Sequence, residues 1–254
     1  MTTDHSPIVQ FKGVTLHYGR EDVVKNVDLN VRHGETKVIL GPSGVGKSTI
    51  LKAMLGLLRP KSGQIYIHGT EISKLPEREL VKIRLRMAMV FQQSALFDSM
   101  TVGENVSFRL REMQLLTGKE IEKRVLEVLK FVGLEEAMNL RPAELSGGMK
   151  KRVAVARALA PNPEIFLFDE PTVGLDPVNF FNVEQLILKL KHQQKATMVI
   201  VTHDVESAVR TADSIVMLHE GRFIFEGPAE DLKRQQDGRI RAFLDPAHAG
   251  FAAP

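Results

Sequence analysis

Gly41-Pro42-Ser43-Gly44-Val45-Gly46-Lys47-Ser48 restricts the fold more than any other segment of this chain. A short apolar run, residues 36–40, leads into it, and a helical pattern over 47–57 leads out. The glycines let successive backbone N–H groups curl around an anion with no Cβ in the way. The start of the following helix adds a favourable dipole. Lys47 brings charge to the β- and γ-phosphate oxygens, and Ser48 a hydroxyl ligand for Mg²⁺. Strand, glycine loop and helix in this order predict a nucleotide-binding α/β core. Gly41, Pro42, Ser43, Gly44, Val45, Gly46, Lys47, Ser48 and Thr49 are its expected phosphate-binding segment.

The rest of the chain alternates in the way such a core requires. Strand patterns fall at 8–11, 27–31, 36–40, 65–68, 87–91, 165–168, 197–202 and 214–218. Helical patterns fall at 47–57, 77–86, 119–131, 147–159, 177–191 and 205–211. Strands alternating with helices imply a mostly parallel sheet covered on its faces, and the near-continuous apolar strands suit burial on both sides. From about 93 to 148 the pattern turns helical, with Thr101 as a cap before Glu104 and Leu145-Ser146 opening another helix. The expected organisation is one domain over 1–254. An N-terminal antiparallel β element and nucleotide core take about 7–92 and 160–235, a helical insertion about 93–159, and a helical tail about 236–254.

Composition narrows the setting. Hydrophobic residues at 43% and charged residues at 26% of 254 indicate a folded globular chain. No apolar run approaches the roughly 18 residues a membrane span needs. The polar start, residues 1–6, lacks a signal-peptide core, which predicts a cytoplasmic chain. The absence of cysteine excludes disulfides, Cys-ligated zinc and a thiol nucleophile. Net charge is only +3. The basic clusters at 78–86 and 150–152 read as solvated helix faces, so no nucleic-acid partner is expected.

Residues 165–170 form an apolar strand ending in Asp169 and Glu170. Carboxylates at the tip of a buried strand imply a cation or a reacting group there. Asp169 suits the Mg²⁺ shell, as a Walker-B aspartate does. Glu170 suits orientation or deprotonation of the water that attacks the γ-phosphate, a role contributing typically about 10²–10⁴-fold.

Leu145-Ser146-Gly147-Gly148-Met149 then resembles the signature of ABC ATPases. In that family Ser146, Gly147 and Gly148 would contact ATP held by the opposite subunit of a homodimer. The resemblance extends along nearly the whole chain. It implies that Tyr18 stacks on adenine and that Gln92 reaches Mg²⁺ and the attacking water. Asp176, in Val173-Gly174-Leu175-Asp176-Pro177, would belong to the loop linking the subunits. His203, in Thr202-His203-Asp204, would contact the γ-phosphate. Catalysis is thus expected from Glu170, His203, Gln92 and Lys47, with ATP and Mg²⁺ bound and Ser48, Gln92 and Asp169 as metal ligands. Met149 stands where glutamine is usual, which argues against simple assignment to a sugar or amino-acid importer.

The segment from Phe91 to Val106, the Met149-bearing signature and the tail Arg239-Ile240-Arg241-Ala242-Phe243-Leu244 together resemble the MlaF-type ATPase family of MCE-linked phospholipid transport. That resemblance implies an ATPase dimer beneath a multi-spanning permease dimer, on the cytoplasmic face of the inner membrane. An MCE-domain lipid carrier and a STAS-domain accessory protein would complete the assembly. Ala95, Leu96 and Phe97 are the expected apolar groove for a permease helix. Ile240, Phe243 and Leu244 form a helical stripe that must bury in the chain's own domain or against a partner. A polar-solute importer of amino-acid type is the alternative reading. An ABC-type DNA-repair ATPase would need a long coiled coil between Lys47 and Ser146, and no sustained heptads occur there.

Overall fold

The structure, a computed structural model, describes residues 6–19, 21–114 and 116–245. Most of the polar N-terminal start and the tail beyond 245 lie outside them. The chain divides into two compact units, one running to Ile83 and resuming at Lys195, the other Arg84–Gln194. In chain order the elements are β1 (Val9–Tyr18), β2 (Glu21–Val31), β3 (Thr36–Leu40), α1 (Lys47–Met54), β4 (Ser62–Ile67), β5 (Thr70–Glu71) and α2 (Glu77–Arg84). Next come β6 (Met87–Val90), α3 (Val102–Glu112), α4 (Gly118–Val132), α5 (Gly147–Leu159), β7 (Ile165–Asp169) and α6 (Pro177–Gln194). Last are β8 (Thr197–Thr202), α7 (Val205–Thr211), β9 (Ser214–His219), β10 (Arg222–Pro228), α8 (Ala229–Leu232) and α9 (Gly238–Leu244).

In the first unit, β2-β1-β4-β5 form an antiparallel sheet. A second set of strands runs in the order β10-β9-β3-β8, with β3 parallel to both neighbours and β10 antiparallel to β9. Helix α1 touches β1 and β4 of one sheet and β8 of the other. Its Ile50, Leu51 and Met54 are fully buried. Every residue of β3 and β8 is buried, as their apolar runs predicted. Lys37 of β3 is tolerated because its ammonium meets Glu226 at 2.8 Å. Sequence periodicity missed β10, an edge strand that buries only Phe225. It also carried α1 past its end, which falls before the left-handed Gly56.

In the second unit, β6 and β7 pair in parallel, and α5 packs on α3, α4, α6 and β6. Thr101 caps α3 as expected, and Glu104 returns the contact to complete a capping box. Helices α4 and α5 cap each other. Arg124 of α4 donates to the terminal carbonyls of α5, Leu159 and Ala160, at 3.0 and 2.9 Å. Arg152 of α5 donates to the terminal carbonyls of α4, Val132 and Gly133, at 3.1 and 3.2 Å. This corrects the reading of 150–152 as a solvated face: Arg152 is half-buried, and Lys151 is buried. No helix among the described residues is long and apolar enough to cross a membrane. In the tail, Ile240 is buried while Phe243 and Leu244 are half-buried.

The reciprocal capping predicts two separate, similar losses of stability. Arg124→Met or Arg152→Met should each lower unfolding free energy by about 1–2 kcal/mol, the net worth of charge-assisted bonds to helix-end carbonyls. Urea titration is the check. The double variant should be close to additive, because the two caps sit at opposite ends of the pair.

Candidate functional site

In the first unit, the glycine loop and His203 that the sequence singles out lie at the carboxyl ends of β3 and β8. These strands pair in register Leu40↔Thr202, so the glycine loop and His203 emerge side by side. Gly41 has no room for a Cβ, which would meet the Leu218 carbonyl at 2.4 Å. Gly46 has φ +109 and lies against Val23 of β2. The tip of the β1–β2 hairpin, where Tyr18 pairs with Glu21, is thereby held beside the loop. Tyr18 itself is 73% exposed, an open aromatic face. Lys47 is buried, and its ammonium donates to the carbonyls of Gly41 and Pro42 at 2.8 and 2.9 Å. The lysine thus folds back onto the loop that precedes it, its charge held against the main chain of Gly41 and Pro42.

His203 is exposed for a local reason. Thr202 Oγ accepts from Asp204 N at 3.0 Å, and Asp204 caps α7 by accepting from Ser207 N at 2.6 Å. Both flanking side chains serve the turn, and His203 between them is exposed.

In the second unit the same logic operates at β6 and β7. Their register, Val90↔Phe168, brings Gln92 and Asp169-Glu170 to adjoining strand ends. Asp169 and Glu170 are buried, and Gln92 is exposed. Glu170 has φ +47, a left-handed conformation uncommon outside glycine. Beyond Gln92, Ser94 and Ala95 are also left-handed, at φ 61 and 47. Arg157 of α5 donates to their carbonyls at 2.9 and 2.7 Å and lies over the Phe97 ring. Burial lowers the Arg157 pKa from the ordinary guanidinium value. Ala95 and Phe97 line an open cleft of about 370 Å³ with Phe91, Phe108 and Arg109. Leu96, half-buried, is not part of that lining. Arg109 is fixed by the carbonyls of Met87 and Arg84.

Ser146 caps α5, its Oγ accepting from Met149 N at 3.2 Å. Gly147 is exposed and Gly148 buried. A Cβ on Gly148 would stand 1.9 Å from Asn179 Oδ1. Asn179 also donates to Asp176, whose carboxylate accepts from Val178 N, Asn179 N and Asn179 Nδ2 at 3.1, 3.0 and 2.5 Å. These bonds, the Asn179 side chain foremost, hold the Asp176 pKa below the usual carboxylate value. Asp176 is therefore the cap of α6. Sequence reading missed Asn179, Arg157 and Lys151. The last was legible: position 151 follows Gly148 by three and precedes Val155 by four, which puts it on the buried face.

The contact at Gly148 is testable by rescue. Gly148→Ala should destabilise the chain by about 1–3 kcal/mol through overpacking. Adding Asn179→Gly, which removes the clashing atoms, should recover part of that loss, seen as non-additivity in a double-mutant cycle of denaturation midpoints.

Three comparisons bear on this geometry. The chain is 40% identical, over 93% of its length and 90% of the relative, to the intermembrane phospholipid transport system ATP-binding protein MlaF of Haemophilus influenzae. It is 41% identical, over 95% of its length and 70% of the relative, to the "Probable ribonucleotide transport ATP-binding protein mkl" of Mycobacterium leprae. Among solved structures it resembles the dimeric ATP-binding cassette MJ0796 in a post-hydrolysis state bound to ADP and Pi. That match has TM-score 0.79 and 41% identity, covering 87% of this chain and 98% of the other. A family model described as ABC transporter matches residues 24–173. The chain belongs to the ABC transporter family.

Proposed function

We propose that this chain hydrolyses ATP as one of two identical subunits and so drives phospholipid movement between an inner and an outer membrane. The observation that carries the lipid reading is the 40% identity with MlaF across nearly the full length of both chains. The whole chain acts as one ATP-binding domain. A permease dimer holds it at the cytoplasmic face of the inner membrane, and an MCE-domain lipid carrier and a STAS-domain accessory protein belong to the same assembly.

Each chemical role rests on a side chain of suitable type. The main-chain N–H groups of Gly41 and of residues 43–49 and the Lys47 ammonium bind the phosphates, and Tyr18 offers its exposed ring to adenine. Ser48, Gln92 and Asp169 offer hard oxygen donors, the ligand chemistry that Mg²⁺ prefers, and so few ligands leave positions for water and phosphate oxygens. Bound Mg²⁺ would neutralise charge developing on the β- and γ-phosphate oxygens. Glu170 orients the attacking water and accepts its proton. His203, exposed in the Thr202–Asp204 turn, hydrogen-bonds the γ-phosphate. Ser146, Gly147 and Gly148 meet the nucleotide of the second subunit, and Asp176 shapes the loop between them. The Phe91–Phe97–Phe108 cleft receives an apolar helix of the permease.

The similarity to mkl supports a second reading, transport of a polar solute such as a ribonucleotide. The ATPase machinery would be the same in both.

Glu170→Gln should lower turnover by about 10²–10⁴-fold while ATP binding persists and the ATP-bound dimer accumulates. Retention of most of the hydrolysis rate would remove Glu170 from its role. Deleting the gene in its host should raise outer-leaflet phospholipid and detergent sensitivity. A selective loss of ribonucleotide uptake with normal lipid distribution would favour the second reading.

A further inference from the structure

Helix α5 carries a buried cation that the reading above does not use. Lys151 is 5% exposed. Its ammonium donates to the main-chain carbonyl of Gln92 and lies 3.5 Å from the main-chain carbonyl of Glu170. Burial lowers its pKa from the ordinary lysine value, and the nearby charges of Asp169 and Glu170 act in the opposite sense. An ammonium withdrawn from water persists only where strong acceptors surround it. Here the acceptors belong to the two segments that carry the reaction.

Those segments need holding. Glu170 occupies a left-handed conformation at φ +47, and Ser94 and Ala95 after Gln92 do the same. Such residues persist when the surroundings over-determine them. Arg157 fixes Ser94 and Ala95 through their carbonyls. Lys151 stands in the same relation to Gln92 and Glu170. Where the Glu170 main chain turns decides where its carboxylate points, and the same holds for the Gln92 amide.

We propose that Lys151 is a positioning residue for ATP hydrolysis, tying the Gln92 and Glu170 main chains together so that amide and carboxylate converge on the attacking water. The proposal rests on the ATPase reading. It also gives α5 a mechanical role. Lys151 lies five residues after Ser146, about 1.5 Å of helix rise for each, so a shift of the capped start of α5 moves the tie.

The test compares full-length wild type, Lys151→Met, which keeps length without donors, and Lys151→Arg, which keeps charge and donors. MgATP turnover and binding of a fluorescent ATP analogue are measured in parallel. Lys151→Met should lower kcat on the order of 10²-fold, the scale of a small misplacement of catalytic groups. KM and analogue affinity should hold within about twofold, the pattern of an interaction made in the transition state only. Lys151→Arg should recover a large part of kcat. Where Lys151→Met does not fold, Lys151→Gln is read on the same parameters. Unchanged kcat overturns the proposal, as does a rise in KM at constant kcat. Equal loss in the Met and Arg variants alongside lost nucleotide binding also overturns it. A wild-type chain that binds ATP without hydrolysing it sinks the ATPase reading and this inference with it.

Discussion

Strands buried on both faces can present charge only at their ends, and the arrangement of this chain follows from that constraint. Every residue of β3, β7 and β8 is buried. Lys37, a charge inside β3 rather than at its end, is paired with Glu226. Polar chemistry is therefore delivered at or just past the last strand residue: Gly41–Lys47 after β3, Asp169-Glu170 at the end of β7, His203 after β8. Parallel pairing aligns those ends in register within each unit, Leu40 with Thr202 and Val90 with Phe168. Residues far apart in sequence become neighbours because their strands stop at the same level.

Several motif residues stand at helix starts, where four N–H groups lack intrahelical partners. Ser146, Asp176 and Asp204 each meet that need with a side-chain oxygen. The motif residues thus act first as caps. In the Thr202–Asp204 turn the histidine between them is exposed. At Asp176 capping fixes a charged carboxylate, and Asn179, which helps hold it, makes any side chain on Gly148 costly.

The second unit relies on cations that donate to carbonyls. Arg109, Arg124, Arg152, Arg157, Lys151 and Lys189 all do so. A carbonyl acceptor carries no net charge, so these contacts order backbone without requiring a buried carboxylate. They also join helix α5 to loops whose left-handed residues would not hold their shape alone.

Glycine spacing, strand alternation and acids at a strand tip were enough to place the glycine loop between β3 and α1, the β7 carboxylates and the capped starts of α3 and α5. Those features depend on residues close in sequence, and backbone stereochemistry expresses them wherever they occur. Edge strand β10 was not legible, since one buried residue gives no period. Lys151 carried a readable signal in its helical position, but three adjacent basic residues suggested solvent instead. What Lys151 and Arg157 hold, and why a side chain at Gly148 is costly, only the tertiary structure decided. Their partners are the carbonyls of Gln92, Glu170, Ser94 and Ala95 and the side chain of Asn179. No sequence pattern encodes a main-chain carbonyl, which every residue carries alike; packing alone selects which of them a buried cation will find.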